Sequence, residues 1–231
     1  MKTNIYEESL SCKDFLSFQR CFHLRCEGCK LANRKEAHSI VWRGNEFSKI
    51  LLVGEALGKI EEKQKKIFVG PAGEVLDKLF TKIDIDIEKH LLLTNCVFCR
   101  PCAPGDSDKQ NIKPDKEVID KCWPLTEKLI ELVQPKIIIP CGSIAAQKIL
   151  DDKKVKITKI CGEWKEIDGV HYIPMLHPAS LLHSKKVPER RKQYKELINK
   201  FLINFRDEWK ERLGEDGEYL QDSSYRARPR F

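Results

Sequence analysis

The chain has 231 residues, of which 41% are hydrophobic and 33% charged, and its net charge of +7 suits a globular protein with a polyanionic partner. No apolar run approaches the roughly 20 residues that a membrane helix needs, which argues against a membrane-spanning protein. The opening residues MKTNIYEESLSCKDF lack the apolar core of a secretory signal, so the sequence predicts a cytoplasmic protein with reduced thiols.

Four short apolar runs, each ended by a turn-forming segment, are predicted to be buried strands. They are residues 50–53, 91–93, 137–139 and 172–175. Amphipathic stretches with helical spacing alternate with them, at residues 72–83, 117–133, 143–150 and 189–212. Continuous apolar runs suit strands that are covered on both faces. The alternation with helices therefore predicts a three-layer α/β/α sandwich around a central, mostly parallel four-stranded sheet.

The same patterns set the expected domain organisation. Residues 1–205 are predicted to form a single domain. Residues 206–231 are predicted to be a charged, flexible tail, because the final stretch GEDGEYLQDSSYRARPRF lacks apolar periodicity. Pro124 lies inside the second helical stretch and is expected to kink or split it.

Polar side chains follow three of the four predicted strands. The segments after the apolar runs read GEALG, TNCVFCRP, CGS and HPAS. Because ligands of open parallel sheets bind beyond the carboxyl ends of the strands, these segments are the expected position of a site. Glu55, Asn95 and His177 are the side chains there that suit binding or catalysis.

Ten cysteines are many for a protein with reduced thiols, and four of them have spacings typical of metal ligands. Cys26 and Cys29 form a CxxC pair, and Cys99 with Cys122 offers a second pair. Four such thiolates hold either zinc or an iron–sulfur cluster, and spacing alone does not decide between them. The remaining cysteines are interpreted as small core residues, with Cys102 as the rival of Cys99.

Four segments, in this order, resemble the iron–sulfur uracil-DNA glycosylases, family 4 of the uracil-DNA glycosylase superfamily. They are CEGCKLANR, LLVGEALGKIEEKQKKIFVGPAGEVLDKLF, LTNCVFCRPCAPG with IKPDKEVIDKCWPL, and MLHPASLL. The resemblance runs from about Cys26 to Phe201. It implies the superfamily fold for residues 1–205 and an enzyme that flips uracil out of DNA and hydrolyses its N-glycosidic bond, leaving an abasic site.

The resemblance also implies a cofactor and a partner. It assigns a [4Fe–4S] cluster to Cys26, Cys29, Cys99 and Cys122, and makes Cys102 a bystander. The cluster would be structural, tying the N-terminal segment to the edge of the sheet, and would not act as a redox catalyst. The implied partner is uracil-containing DNA, single- or double-stranded, bound by a monomer.

The uracil pocket is assigned by the resemblance to three side chains. Phe68 would stack on the flipped base, and Asn95 would read the O4 and N3–H edge of uracil, since a carboxamide both donates and accepts. His177 would donate to uracil O2 and stabilise the developing anion. Each residue also has a purely structural interpretation: a core aromatic, a strand-end turn residue and a loop histidine.

The loop after the first predicted strand is expected to lie beside the sugar. Glu55 matches a family glutamate that positions water or stabilises the sugar cation. Gly54, Ala56 and Gly58 would allow the backbone to approach the nucleotide closely. Leu57 stands where the family usually has proline, which puts the rigidity of this loop in question. The acidic pair at 61 and 62 also matches the family, and its simplest interpretation is a solvated surface.

DNA contacts are expected from the segment that follows HPAS. Ser180 is assigned to DNA binding, and Leu181 or Leu182 would fill the gap left by the flipped base. Lys185 and Lys186 would meet phosphates, although a solvated helix face has the same pattern.

Two alternatives to an active glycosylase remain open at the level of sequence. One is a non-catalytic member of the fold that binds DNA or protein, suggested by the tail and by a long stretch between Cys99 and Cys122. The other is a zinc or redox protein. That long stretch contains no histidine, so covalent trapping of the product, which a related branch performs with a histidine-containing insert, is not expected.

Overall fold

The apolar runs of the sequence form the centre of one sheet in the computed structural model, which describes residues 5–21, 29–31, 39–102 and 111–214. The strands in these ranges are β1 Arg43–Gly44, β2 Ile50–Ala56, β3 Leu92–Val97, β4 Ile137–Pro140, β5 Lys165–Ile167 and β6 Val170–Tyr172. The helices are α1 Ile5–Ser11, α2 Phe15–Cys21, α3 Lys59–Gln64, α4 Pro71–Thr81, α5 Ile87–His90, α6 Lys116–Val133, α7 Ser143–Ile149, α8 Ile157–Ile160, α9 Ala179–His183 and α10 Pro188–Leu213.

The strands of the sheet lie in the order β1-β3-β2-β4-β6-β5. The four inner strands are parallel, and β1 and β5 pair antiparallel at the two edges. The predicted mostly parallel α/β/α architecture is therefore confirmed. The predicted number of four strands is wrong, because the two edge strands have only two and three residues and carry no apolar run.

The last predicted strand is also displaced along the chain. Ladder pairing of β6 covers Val170–Tyr172, and of residues 173–175 only Met175 forms a bridge, with Cys141. Hydrogen bonds to the β4 segment nevertheless continue on both sides of Pro174, because Ile173 N donates to Ile138 O at 3.1 Å and Met175 N donates to Pro140 O at 2.8 Å. The proline is tolerated because alternate residues supply these donors.

Alternate side chains of the inner strands enter two different cores, as expected of strands covered on both faces. Ile50 and Leu52 of β2 belong to the first core, which also contains α4 and α10 residues. Leu51 and Val53 belong to the second core, against α2, α6 and α7. Because a slip of one residue would exchange these two sets, burial on both faces specifies the register of the sheet.

Helix α6 is continuous through Pro124, so the expected split does not occur. The helix begins at a good N-cap, where Asp115 Oδ1 accepts a hydrogen bond from Val118 N at 3.0 Å. Its buried residues Leu125 and Leu129 pack in the second core. This packing holds the helix across the proline.

Helix α10 extends further than the predicted domain boundary between residues 205 and 206. It ends at Leu213, and Trp209 and Leu213 are buried in the first core. The packed domain therefore reaches at least Leu213, and residues 215–231 of the predicted tail lie outside the described residues. Among the helices that the structure describes, none is both long enough and apolar enough to cross a membrane.

We expect Phe205→Ala to lower the free energy of unfolding by about 3–5 kcal/mol, because it removes a fully buried ring. That ring stacks on Phe201 with centroids 5.6 Å apart and on Trp164 at 6.2 Å. Ile203→Ala, on the same helix but 50% exposed, should change stability by no more than about 0.5 kcal/mol. Urea titration followed by circular dichroism measures both, and equal losses would contradict the assignment of this helix face.

Candidate active site

The carboxyl ends of the inner strands bring four distant segments together. In the parallel pairing of β2 with β3, Gly54 lies opposite Asn95. The segment after β4 continues to Gly142, whose N–H donates to Met175 O at 2.8 Å and so holds the segment that leads to His177. The site therefore lies at the sheet edge where the sequence predicted it.

Phe68 and Asn95 face one another across Gly54. A β-carbon at position 54 would lie 2.4 Å from Asn95 Oδ1 and 2.6 Å from Phe68 Cζ, so both side chains occupy the space that any other residue would need. The Phe68 ring also stacks on His177, with centroids 6.3 Å apart and ring planes 29° apart. Three side chains from residues 68, 95 and 177 thus converge.

Asn95 is nearly buried, at 2% exposure, yet its side-chain amide has no hydrogen-bond partner among the described residues. Its backbone carbonyl accepts from Thr126 Oγ1 at 3.3 Å, which anchors the end of β3 to α6. Among the described residues, no hydrogen bond engages the carboxamide itself. Its nitrogen and oxygen are not among the fully buried polar atoms without a partner, so they stay accessible at the site. A carboxamide with no protein partner is suited to a ligand that offers both an acceptor and a donor.

His177 is held as a neutral imidazole with a defined tautomer. Its Nδ1 accepts a hydrogen bond from Ala179 N at 3.2 Å, which leaves the proton on Nε2. Burial lowers the pKa of His177 to about 4, and the nearby His183 lowers it as well. Gly142, at φ +99°, lies beneath the ring, where a β-carbon would be 3.2 Å from His177 Cβ. Ser180 N donates to the His177 carbonyl at 2.9 Å.

Glu55 lies at the end of β2, directly after Gly54, and is half-buried. Burial raises the pKa of its carboxyl above the usual range, and the charge of Lys113 opposes that rise. Ala56 is half-buried beside it, whereas Leu57 is only 2% exposed and packs in the first core. Apolar burial of Leu57 therefore anchors the loop at the position where the family usually has proline.

The acidic pair after this loop is bound within the protein rather than solvated. Glu61 Oε1 accepts from Gly70 N at 2.8 Å. Glu62 is 8% exposed and forms an ion pair with Arg100, at 3.5 Å. Arg100 is itself 1% exposed and also donates to Asn111 Oδ1 at 3.0 Å. The sequence analysis missed Arg100 and Asn111, and the only sequence signal for Arg100 was its place in the CRP match.

Helix α9 and the 3₁₀ turn after it carry the predicted DNA-binding residues. Ser180 is half-buried, and Leu181 packs against the first core. Leu182 is half-buried but belongs to none of the hydrophobic cores among the described residues. Of the two leucines it is therefore the one whose side chain is free to insert into DNA. Lys185 and Lys186 are exposed, and no acidic side chain in the described ranges pairs with either of them.

Three of the four cysteines predicted to hold the iron–sulfur cluster share one buried cluster of side chains, which we call the thiol core. It consists of Cys29, Leu31, Val97, Cys99, Val118 and Cys122. Cys26 lies outside the described residues, and among those described no three ligating side chains are grouped closely enough to hold a metal ion. Cys102 is buried but does not belong to the thiol core. The structure therefore groups Cys99, and not Cys102, with Cys29 and Cys122.

The other cysteines pack as small apolar residues. Cys96 and Cys141 are fully buried, and burial raises the pKa of both thiols well above the usual range. Cys12 and Cys161 are also buried, and Cys21 is half-buried with its Sγ 3.5 Å from that of Cys12. Neutral thiols in such surroundings fill space rather than bind metal.

Comparison with known proteins places these features in a family. The model of the Uracil DNA glycosylase superfamily matches residues 41–203. The Type-4 uracil-DNA glycosylase of Thermotoga maritima is 32% identical over 170 residues, covering 72% of this chain and 83% of the relative. Those of Archaeoglobus fulgidus and Sulfurisphaera tokodaii are 29% and 30% identical over 178 and 185 residues, covering 74% and 77% of this chain and 83% and 79% of the relatives.

We expect the His177 ring to stay neutral, with its proton on Nε2, from about pH 8 to pH 5, and to take up a second proton only near pH 4. Nitrogen-15 NMR of the ring measures both the tautomer and the midpoint. The urea-unfolded chain, where the ring should titrate near pH 6.5, is the control. Because the unfolded chain binds this proton at a higher pH than the folded chain, stability should fall as the pH drops from about 6.5 to about 4. A midpoint near 6.5 in the folded protein would contradict the argument.

Proposed function

Because the chain belongs to the uracil-DNA glycosylase superfamily, we propose that it removes uracil from DNA by hydrolysing the bond between C1′ of the deoxyribose and N1 of the base. The observation that carries the proposal is the uncommitted Asn95 carboxamide, nearly buried and facing Phe68 across Gly54. The chain also covers most of the length of the Type-4 uracil-DNA glycosylases that it resembles.

Recognition of the base would combine stacking with a two-way hydrogen bond. The flipped base stacks on the Phe68 ring. Asn95 Nδ2 donates to uracil O4, and Asn95 Oδ1 accepts from N3–H. Cytosine presents an amino donor in place of O4 and a bare acceptor at N3, so both contacts become repulsive. A buried carboxamide left facing the wrong groups is costly, which is the source of discrimination.

Bond cleavage would be driven by stabilisation of the departing base. As the C1′–N1 bond breaks, negative charge builds on uracil, and the neutral His177 donates from Nε2–H to O2. Positive charge builds on the sugar beside Glu55, whose carboxylate stabilises it or positions the attacking water. Water adds its hydroxyl to C1′, its proton is released, and the products are uracil and an abasic site.

DNA binding would use the segment after His177. Leu182 is the candidate to fill the space that the flipped base vacates, and Lys185 and Lys186 are the candidates to contact phosphates. Ser180 stays a candidate for DNA contact, whereas Leu181 packs against the first core and would support α9. A monomeric state and a cytoplasmic location stay predictions.

The residues of the thiol core fit the cluster that the family resemblance implies. Cys26, Cys29, Cys99 and Cys122 would hold a [4Fe–4S] cluster, whose iron–thiolate bonds would cross-link the N-terminal segment to β3 and α6. Thiol donors with apolar neighbours are typical of such sites. The cluster would be structural, since neither Phe68 nor Asn95, the residues proposed for base recognition, belongs to the thiol core.

We expect Asn95→Asp to lower kcat/KM for uracil excision by on the order of a thousandfold, because a carboxylate repels uracil O4 and cannot donate to it. The measurement is alkali cleavage of an oligonucleotide with one uracil, with Asn199→Asp on the exposed face of α10 as the control for the same chemical change. Undiminished excision by Asn95→Asp would remove Asn95 from base reading. No excision by the unmodified chain, with equal affinity for uracil-containing and ordinary DNA, would indicate a non-catalytic binding module instead.

We expect Cys99→Ala to lose iron, brown colour and thermal stability together, because it removes a proposed ligand from the thiol core. Cys102→Ala is the matched control, since both thiols are buried to nearly the same extent, 8% and 7% exposed. Iron and sulfide analysis, the visible spectrum and the Tm measure the outcome. The reverse result would exchange the two assignments, and a colourless protein containing zinc would reject the iron–sulfur cluster.

A further inference from the structure

The backbone of Phe68 is held in a conformation that such a residue rarely adopts. Its φ is +53°, and it is the one hydrophobic residue among the six non-glycine residues with positive φ in the described chain. The left-handed region is unfavourable for a bulky side chain and persists only where surrounding contacts enforce it. The contacts that enforce it here therefore decide where the Phe68 ring lies.

Two contacts act on the Phe68 carbonyl. Helix α4 packs directly against it, since a β-carbon on Gly73 would lie 1.9 Å from Phe68 O. From the other direction, Arg43 Nη1 donates a buried hydrogen bond to the same oxygen at 2.6 Å. The carbonyl is thus fixed between a glycine and a guanidinium.

Arg43 is itself rigidly held. Its side chain is 8% exposed, and its Nε donates to Glu88 Oε1 at 2.9 Å while its Nη2 reaches Asp77 Oδ1 at 3.2 Å. Lys66 Nζ also binds Glu88 Oε1, at 2.8 Å. Burial alone would raise the pKa of Glu88, but the hydrogen bonds from Lys66 and Arg43 outweigh it and lower the pKa, so the carboxylate stays charged. A planar guanidinium with partners in three directions has little freedom to move.

The backbone of Arg43 connects this contact to the strand that carries Asn95. Arg43 opens β1, which pairs antiparallel with β3, and it lies opposite Leu93, two residues before Asn95. Gly44, at φ +97°, allows the close approach, because a β-carbon there would be 2.2 Å from Leu91 O. One residue therefore touches both β3 and the Phe68 turn.

We propose that Arg43 is a positioning residue that sets the distance between the Phe68 ring and the base-reading carboxamide of Asn95. This inference rests on the proposed function, because the distance matters for a base held between the two groups. Without the guanidinium, the turn relaxes from its left-handed conformation and the ring moves relative to Gly54 and His177. The flipped base then stacks less well, although no group that touches it has been removed.

The test compares Arg43→Met, which removes all donors, with Arg43→Lys, which keeps the charge and one donor. We expect Arg43→Met to lower kcat/KM for uracil excision by roughly 10- to 100-fold, the size of effect that a lost buried charged hydrogen bond produces, and Arg43→Lys to restore part of it. Arg212→Met is the matched control. It removes an arginine that pairs with Glu208 and stacks on Trp164, with its Cζ 4.3 Å from the ring centroid, and should leave kcat/KM unchanged.

A double-mutant cycle separates positioning from general destabilisation. In a Phe68→Ala background the ring is absent, so Arg43→Met should lower kcat/KM by less than about twofold further. All rates are compared at a temperature where circular dichroism shows each variant folded. Independent, additive losses from the two substitutions would overturn the proposal.

A readout without catalysis keeps this inference distinct from the proposed function. Because the Phe68 ring stacks on His177, its ring current shifts the proton resonances of that imidazole. Arg43→Met should move these resonances part of the way toward their positions in Phe68→Ala, and Arg212→Met should not. If the unmodified chain excises no uracil, the proposed function fails, and moved resonances still support Arg43 as the residue that positions the ring. Unmoved resonances overturn the inference whatever the activity.

Discussion

The parallel pairing of β2 with β3 is the interaction on which the candidate site depends. It sets Gly54 opposite Asn95, and the missing side chain at position 54 makes the space that Asn95 and Phe68 share. The register of this pair is specified by burial on both faces of the sheet, with Leu51 and Leu52 in opposite cores. A shift of one residue would exchange the cores and would also put a side chain where the pocket now lies.

The groups around that space are arranged before any ligand arrives. Asn95 is shielded with its carboxamide unpaired, and His177 is neutral with a fixed tautomer. The second feature opposes stability at acidic pH, because the buried imidazole resists a proton that the unfolded chain accepts. Leu57 offsets part of this loss locally, because its burial in the first core holds the loop that contains Glu55.

Much of this arrangement was predictable because it follows from local patterns. Apolar runs identified the four inner strands, and the rule that sites lie at the carboxyl ends of parallel strands identified Glu55, Asn95 and His177. The edge strands were missed because neither has a run of apolar residues. Arg43 was missed for another reason: its contact with Phe68 spans 25 positions, and no spacing or composition signal marks a pair so far apart. The long helix at residues 189–212 was predicted, but the domain boundary between residues 205 and 206 was placed too early, because charged residues surround the buried Trp209.

The two edge strands also affect how the molecule behaves at high concentration. An uncovered strand offers a row of backbone donors and acceptors onto which a second chain can add. At one border that row is two residues long, and at the other three, so a docking strand would gain only a few ladder bonds. The two short edge strands therefore limit the addition of further strands to the sheet and its growth into fibres. They do so without covering the carboxyl ends of the inner strands, where the candidate site lies.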